Sequence, residues 1–263
     1  MTLPSGVSRE DYVASVDAWH AHRVSQLTAS DGWLTLVARY PLQPGANHLP
    51  IGTFTLVDSA VVVAIAPDVV ASCNGEPIRD GVLHPTGNSG AAPIQVGDQV
   101  WEVVARDSGW AVRVRDPGSV ERRDFRGISR FPVDPEWRVE GHFHPHVPPR
   151  PMEVVTWAGP EPRLSPGAFV FTFHGGEHRL DVLHELAPPR LYVLFGDPTN
   201  GRSTYGAGRY LYAPMPAAGG QVFVDFNRAC TPPCAFSPYV VCPLPPPENR
   251  LPFPVTAGEI TAG

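Results

Sequence analysis

The sequence predicts a mainly β protein: an N-terminal helix, then two sandwich- or barrel-like β units, with a Pro-rich C-terminal segment packed on the second. Three observations carry that reading. Only Ser8 to Leu27 shows helical spacing. From Trp33 onward, short β-branched runs are broken by Pro, Gly and Asp. Proline accounts for 32 of 263 residues, too many for long helices. The expected divisions are residues 1–30, 31–130 and 131–263.

In the helix, Val13, Val16, Trp19 (or His20), Arg23 and Leu27 share a face. Ser8 with Asp11 forms a capping-box-like start, and Asp31-Gly32 marks the stop. Strands are predicted at Leu34–Val37, Gly52–Val57 and Ala60–Ile65. Cys73-Asn74-Gly75-Glu76 reads as a hairpin turn. Gln99–Ala105 and Trp110–Arg115 pair around Asp107-Ser108-Gly109, and Asp116–Arg130 crosses to the second unit. There the strands are Trp137–Phe143, Met152–Trp157, Ala168–His174, Arg179–Leu186, Leu191–Phe195, Arg209–Tyr212 and Gln221–Phe226. The Pro-rich end carries Phe236, Tyr239, Leu244, Leu251 and Phe253, which predicts packing instead of a free polyproline tail.

Composition narrows function. All 20 basic residues are Arg; there is no Lys, which excludes Schiff-base and P-loop lysines. A net charge of −6 argues against nucleic acid as a partner. The longest apolar run, Ala60–Ala66, is far below a membrane span, so no membrane partner is expected. Met1 to Arg9 lacks a basic end followed by an apolar stretch, so the expectation is a cytoplasmic protein with a small-molecule ligand. Gly-x-Ser-x-Gly, Gly-x-Gly-x-x-Gly after a strand and His-Glu-x-x-His are absent.

The stretches Phe195-Gly-Asp-Pro-Thr-Asn-Gly-Arg-Ser-Thr-Tyr-Gly-Ala-Gly-Arg-Tyr-Leu, Val224-Asp-Phe-Asn-Arg-Ala, Pro232-Pro-Cys-Ala-Phe-Ser-Pro-Tyr and Cys242-Pro-Leu-Pro-Pro-Pro-Glu-Asn-Arg-Leu are highly distinctive. They resemble the bacterial family called domain of unknown function 1684. Asp31-Gly-Trp-Leu, Val112-Arg-Val-Arg-Asp and Phe131-Pro-Val-Asp-Pro-Glu-Trp-Arg-Val-Glu extend the resemblance to about Trp19–Glu259, nearly the full chain. It implies a mainly β fold and names no activity. The strand pattern of the N-terminal half also resembles forkhead-associated domains, on Cys73-Asn74-Gly75 and Val96-Gly97-Asp98-Gln99-Val100. The Gly-Arg and Ser-x-x-His elements that hold phosphothreonine in that fold are missing, so that resemblance concerns fold alone.

Three groups could carry chemistry. The first is Thr204, Tyr205, Arg209, Asp225, Asn227, Arg228 and Asn249. Arg209 offers a planar fork for an anion, with Thr204, Asn227 and Asn249 as further substrate contacts. Tyr205 and Asp225 are acid and base candidates, with His144 as a third catalytic candidate. Gly206 and Gly208 permit close backbone approach or positive φ. An equally open reading has an Arg–Asp pair and Asn caps pinning the Pro-rich tail, whose prolines donate no N–H.

The second group is His142-Phe143-His144-Pro145-His146. Alternating His on a strand share a face and could hold zinc or iron, with His174 completing the set. Glu153, Glu177, His178 and His184 are further donors, and the arrangement faintly resembles cupin metal sites. A solvated strand face is the other reading, and Pro145 could break the strand. The third group is Cys230, Cys234 and Cys242. No CxxC is present, and buried packing thiols are the expectation in a cytoplasmic chain. By the family resemblance, Cys234 and Cys242 belong to its motif, and a disulfide between them fits exported relatives.

The expected function is an enzyme acting on a small polar, anionic molecule in a pocket of the second β unit, by hydrolysis, elimination or cyclisation, with metal assistance from the His strand. The alternative is a non-catalytic β-sandwich binding or scaffold protein.

Overall fold

In the computed structural model, the described residues are 3, 6–84, 92–106, 109–156, 159–186 and 189–261; the side chains of 106 and 184–186 are not among those described. Two compact units emerge. One takes Met1–Ser25, Arg126–Ala235 and Val241–Gly263; the other takes Gln26–Phe125 and Phe236–Val240. The boundary falls within helix α1 (Arg9–Thr28). As the capping-box reading requires, the Ser8 hydroxyl accepts from the Asp11 N–H at 3.0 Å and bonds its carboxylate at 2.7 Å. Tyr12, Val16 and Leu27 are buried, whereas Val13 is only half-buried, so the apolar stripe runs through Tyr12.

The second of these units is built from β1 (Leu36–Pro41), β2 (Gly45–Leu49), β3 (Gly52–Val57), β4 (Ala60–Ile65), β5 (Ser72–Cys73), β6 (Glu76–Pro77), β7 (Asp80–Leu83), β8 (Ile94–Val96), β9 (Gln99–Arg106) and β10 (Gly109–Arg115), followed by the short helix α2 (Val120–Arg123). One antiparallel sheet has the order β1-β10-β9-β8-β5-β6, and a second has β2-β3-β4-β7. Their inner faces share one core, to which Phe54, Val61 and Val63 contribute from one sheet and Val103, Val112 and Val114 from the other. The period-two reading holds along β4, where Val61, Val63 and Ile65 are buried and Val62 and Ala64 are exposed. Asn74 (φ 53°) and Gly75 (φ 83°) give the β5–β6 turn the two positive φ values of a type I′ hairpin. The predicted strand at Leu34 starts later, because Trp33–Thr35 winds into a 3₁₀ turn first. Within the predicted turn after β9, Asp107 and Ser108 lie outside the described residues.

The first unit closes around β11 (Arg138–Thr156), β12 (Gly159–Phe173), β13 (Gly176–Leu186), β14 (Pro189–Phe195), β15 (Arg209–Ala213) and β16 (Gln221–Asp225). Its antiparallel sheet has the order β15-β14-β13-β12-β11-β16, and the end strands β15 and β16 approach each other to make it nearly a barrel. Phe169, Leu180, Val193, Phe195, Leu211 and Phe226 fill the inside, joined by Leu251, Val255 and Ala257 of the Pro-rich end. Each such side chain contributes roughly 1.5–3 kcal/mol by leaving water. The strands predicted at Trp137–Phe143 and Met152–Trp157 are one strand, β11, whose register shifts between Pro145 and Arg150; Trp157 lies outside the described residues. The tail is packed as predicted at Leu251, but Tyr239 and Leu244 stay exposed. No helix among the described residues is long and apolar enough to cross a membrane.

Candidate functional site

Arg209, at the start of β15, is fully buried. Its Nη2 donates to Asp197 Oδ2 at 2.9 Å and to the Val255 carbonyl at 2.8 Å, and its Nη1 donates to the Ala257 carbonyl. Burial pushes the guanidinium down and the Asp197 charge opposes it. Asp197 Oδ1 accepts from Thr199 N at 2.9 Å and Val255 N at 3.1 Å. Thr204 is buried with its hydroxyl 2.7 Å from that of Thr199, and Asn200 Nδ2 donates to it at 2.9 Å. The Asp197–Thr204 loop therefore folds on itself and, through Arg209, ties down the tail. Arg209 and Thr204 hold the chain's own groups, which is the pinning reading, with Asp197 as the acid where the sequence pointed to Asp225.

Asp225 has a different set of partners. Its Oδ1 accepts from the Tyr12 hydroxyl at 2.8 Å, and its Oδ2 lies 3.3 Å from Arg228 Nε. Asn227 is buried; its Nδ2 donates to Tyr12 Oη at 2.9 Å and to the Asp134 carbonyl at 2.8 Å, and its Oδ1 accepts from Asp134 N at 3.0 Å. Burial and the Asp225 charge push the Tyr12 hydroxyl well up. This cluster anchors α1 to the end of β16. Tyr205 is half-buried and bonds Cys234. Tyr205, Arg209 and Asp225 thus belong to three separate networks and form no common catalytic group.

The His strand divides. His142 and His144 are exposed on β11, while His146, with its side chain 10% exposed, turns to Asp181 on β13. His174 sits exposed in the β12–β13 turn at φ 50°, stacked on Phe173. Among the described residues no three His, Cys, Asp or Glu side chains group as a metal requires, so the set His142, His144, His146 and His174 is not brought together. His178 bonds the Phe173 carbonyl at 3.0 Å, and the His184 side chain lies outside those described.

His146, by contrast, belongs to a polar constellation. His146 Nε2 is 3.0 Å from Asp181 Oδ1, and Arg179 Nη2 donates to the same oxygen at 2.8 Å. Burial would push Asp181 up; the hydrogen bonds from His146 and Arg179, with the Arg179 charge, outweigh it and hold the carboxyl below its ordinary value. Asn249 fixes the backbone underneath. Its Oδ1 accepts from Asp181 N at 2.7 Å, and its Nδ2 donates to the carbonyls of Asp181 at 2.7 Å and Leu194 at 2.8 Å. The β13–β14 ladder is formed at Leu183↔Tyr192 and beyond, and the Asn249 amide takes the place of a peptide group where it stops. The Asn249 amide is thus spent on the chain's own backbone and not on a ligand.

Asp181 also lines a cleft of about 360 Å³. Arg150, Glu153 and Ser165 border it from β11 and β12, and Pro245, Pro246, Pro247 and Glu248 form the opposite wall. Gly208 shapes that wall: at φ +87° a Cβ there would lie 2.5 Å from Pro245 Cγ. The prolines offer no donors, so polar contacts with a guest fall to the acids, Ser165 and Arg150. Sequence reasoning missed Asp181, Arg150 and Glu248. One signal was available: Arg179 and Asp181 stand at i and i+2 of a strand, on one face, as His144 and His146 do.

The fold is mainly β, with a polar cleft walled by the Pro245-Pro246-Pro247-Glu248 segment. The family model described as "Protein of unknown function (DUF1684)" matches residues 123–260, and the chain belongs to that family. The match covers about half of the chain, less than the Trp19–Glu259 span expected from sequence. The solution NMR structure of an uncharacterized protein from Haloarcula marismortui is similar at 33% identity, over 56% of this chain and 83% of that one, with a TM-score of 0.44. A comparison with curated proteins gave no match.

Proposed function

We propose that this chain binds a small polar molecule in the cleft beside Asp181, and that the molecule presents a cationic or donor-rich group to the acids there. The carrying observation is an ionised carboxylate, held by His146 and Arg179, at the wall of a polar cleft that also contains Glu153 and Glu248. Among the described residues Arg150 is the single basic one lining it, and it suits one acceptor or acidic group on the same guest. This shifts the expected ligand away from a simple anion, because that expectation rested on Arg209, whose guanidinium is occupied inside the barrel.

Turnover of the guest is a second reading, favoured by one feature: His146 touches the carboxylate that faces it, so a proton can pass between imidazole and cleft through Asp181. The test is a thermal-shift and calorimetric panel of small amines, amino acids, guanidino compounds and dicarboxylic acids. Amine-bearing members should bind, and Asp181→Asn and Glu248→Gln should each weaken binding. The proposal fails if nothing in the panel binds, or if binding survives both substitutions. Product formation from a bound member, lost in His146→Ala, would add the enzymatic reading.

A further inference from the structure

Apart from the cleft, the first unit holds a second chemical group that the function above does not use. Cys234 and Cys242 are both free thiols. The Cys234 N–H donates to Cys242 Sγ at 3.2 Å, and the two thiols are in hydrogen-bonding contact with each other. Tyr205 donates to Cys234 from one side. On the other, Tyr210 donates its one hydroxyl proton to the Pro243 carbonyl at 3.0 Å, next to Cys242. Cys234 is thus the sulfur that both Cys242 and Tyr205 face. Cys234 is half-buried and Cys242 is buried.

We infer that Cys234 and Cys242 form a thiol–disulfide exchange site, with Cys234 the attacking sulfur, Cys242 the resolving one, and a low-molecular-weight disulfide as the co-reactant. In the first step, Cys234 Sγ loses its proton and attacks one sulfur of the disulfide RSSR. The S–S bond of RSSR breaks, a Cys234–S–S–R bond forms, and the departing RS⁻ takes up the proton as RSH. In the second step, Cys242 Sγ attacks Cys234 Sγ and the second RS⁻ leaves with the Cys242 proton. The two cysteines are oxidised, RSSR is reduced to two RSH, and the loop from Ala235 to Val241 becomes a closed ring.

Two facts favour this order. Cys234 is the more exposed of the two, and the hydrogen bond from Cys242, helped by that from Tyr205, holds it below its ordinary value against the burial that opposes it. The same bond pushes Cys242 up, which keeps its proton until Cys234 is consumed. Cys230 differs: it is fully buried, and burial pushes it up to about 12. Cys73, in the other unit, is half-exposed, and its Sγ lies 3.9 Å from the Ala92 carbonyl. Both serve as internal controls.

The experiment treats the full chain with oxidised glutathione at neutral pH, quenches with acid and maps the thiols by differential alkylation and mass spectrometry. Expected are a Cys234–Cys242 link, two reduced glutathiones released per chain, and Cys73 and Cys230 still open to alkylation. Cys242→Ser should stop with glutathione on Cys234. Tyr205→Phe should move the pH midpoint of Cys234 alkylation upward from that of the unaltered chain. A glutathione adduct that persists on Cys234 of the unaltered chain, with Cys242 free, overturns the inference. So does oxidation of Cys73 while Cys234 and Cys242 stay reduced. If Cys242→Ser does not fold, the map and glutathione count of the unaltered chain decide.

Discussion

Arg209 and Asp197 form an ion pair with both side chains fully buried, Nη2 to Oδ2 at 2.9 Å, and the same guanidinium holds the carbonyls of Val255 and Ala257. Two segments, the Asp197–Thr204 loop and the Val255–Ala257 stretch of the tail, are thereby tied to β15. Arg209→Ala should cost about 3–5 kcal/mol, because it leaves the Asp197 carboxylate uncompensated in the interior. Urea unfolding checks this. A folded Arg209→Ala variant of unaltered stability would show that the pair carries no structural weight.

The Tyr12–Asp225–Asn227 cluster predicts a milder effect. Asn227→Ala strips partners from Asp134 and Tyr12 at once, and each buried polar group left unmatched costs about 1–3 kcal/mol. Tyr12→Phe removes one donor to Asp225. Hydrogen exchange should show the first turns of α1 opening in both, more in Asn227→Ala, with β12 and β13 unchanged.

Asp181 sets a pH prediction. Its folded value lies below the ordinary 3.8. A depressed carboxylate contributes stability that is present above the unfolded value and lost as pH falls through the folded one. Unfolding free energy should therefore fall with acid below pH 3.8. Asp181→Asn should flatten that limb, and an acid limb unchanged by the substitution would assign the loss to other groups.

Gly208 links the barrel to the cleft wall. Its φ of +87° and the 2.5 Å approach of Pro245 Cγ leave no room for a side chain. Gly208→Ala should cost about 1–3 kcal/mol in backbone strain alone. It should also displace Pro245 and weaken any cleft ligand. Gly206 makes a matched control, since a Cβ there meets nothing nearer than 3.8 Å. Gly206→Ala should leave melting temperature and binding close to unaltered.

Local pattern carried much of the fold. The capping pair Ser8 and Asp11, the alternation along β4 and the Asn74-Gly75 turn each follow from interactions within a few residues, so the chain itself determined them. β2 was not legible: Gly45–Leu49 has no β-branched residue, and it is a strand because β3 supplies its partners. β11 is one strand across Pro145 because β12 pairs with both sides of the register shift. The family motifs were legible as words, and their partners were not. Arg209 and Asn249 looked like ligand contacts because polar side chains serve both pinning and binding. Only the tertiary structure decided which, by burying Arg209 against Asp197 12 residues away and setting Asn249 beneath Asp181, 68 residues away. The same long-range closure placed His146 on Asp181, left His142 and His144 in solvent, and set Tyr205 on Cys234. Spacing along the chain defines which faces residues share, and the pairing of distant segments defines what those faces meet.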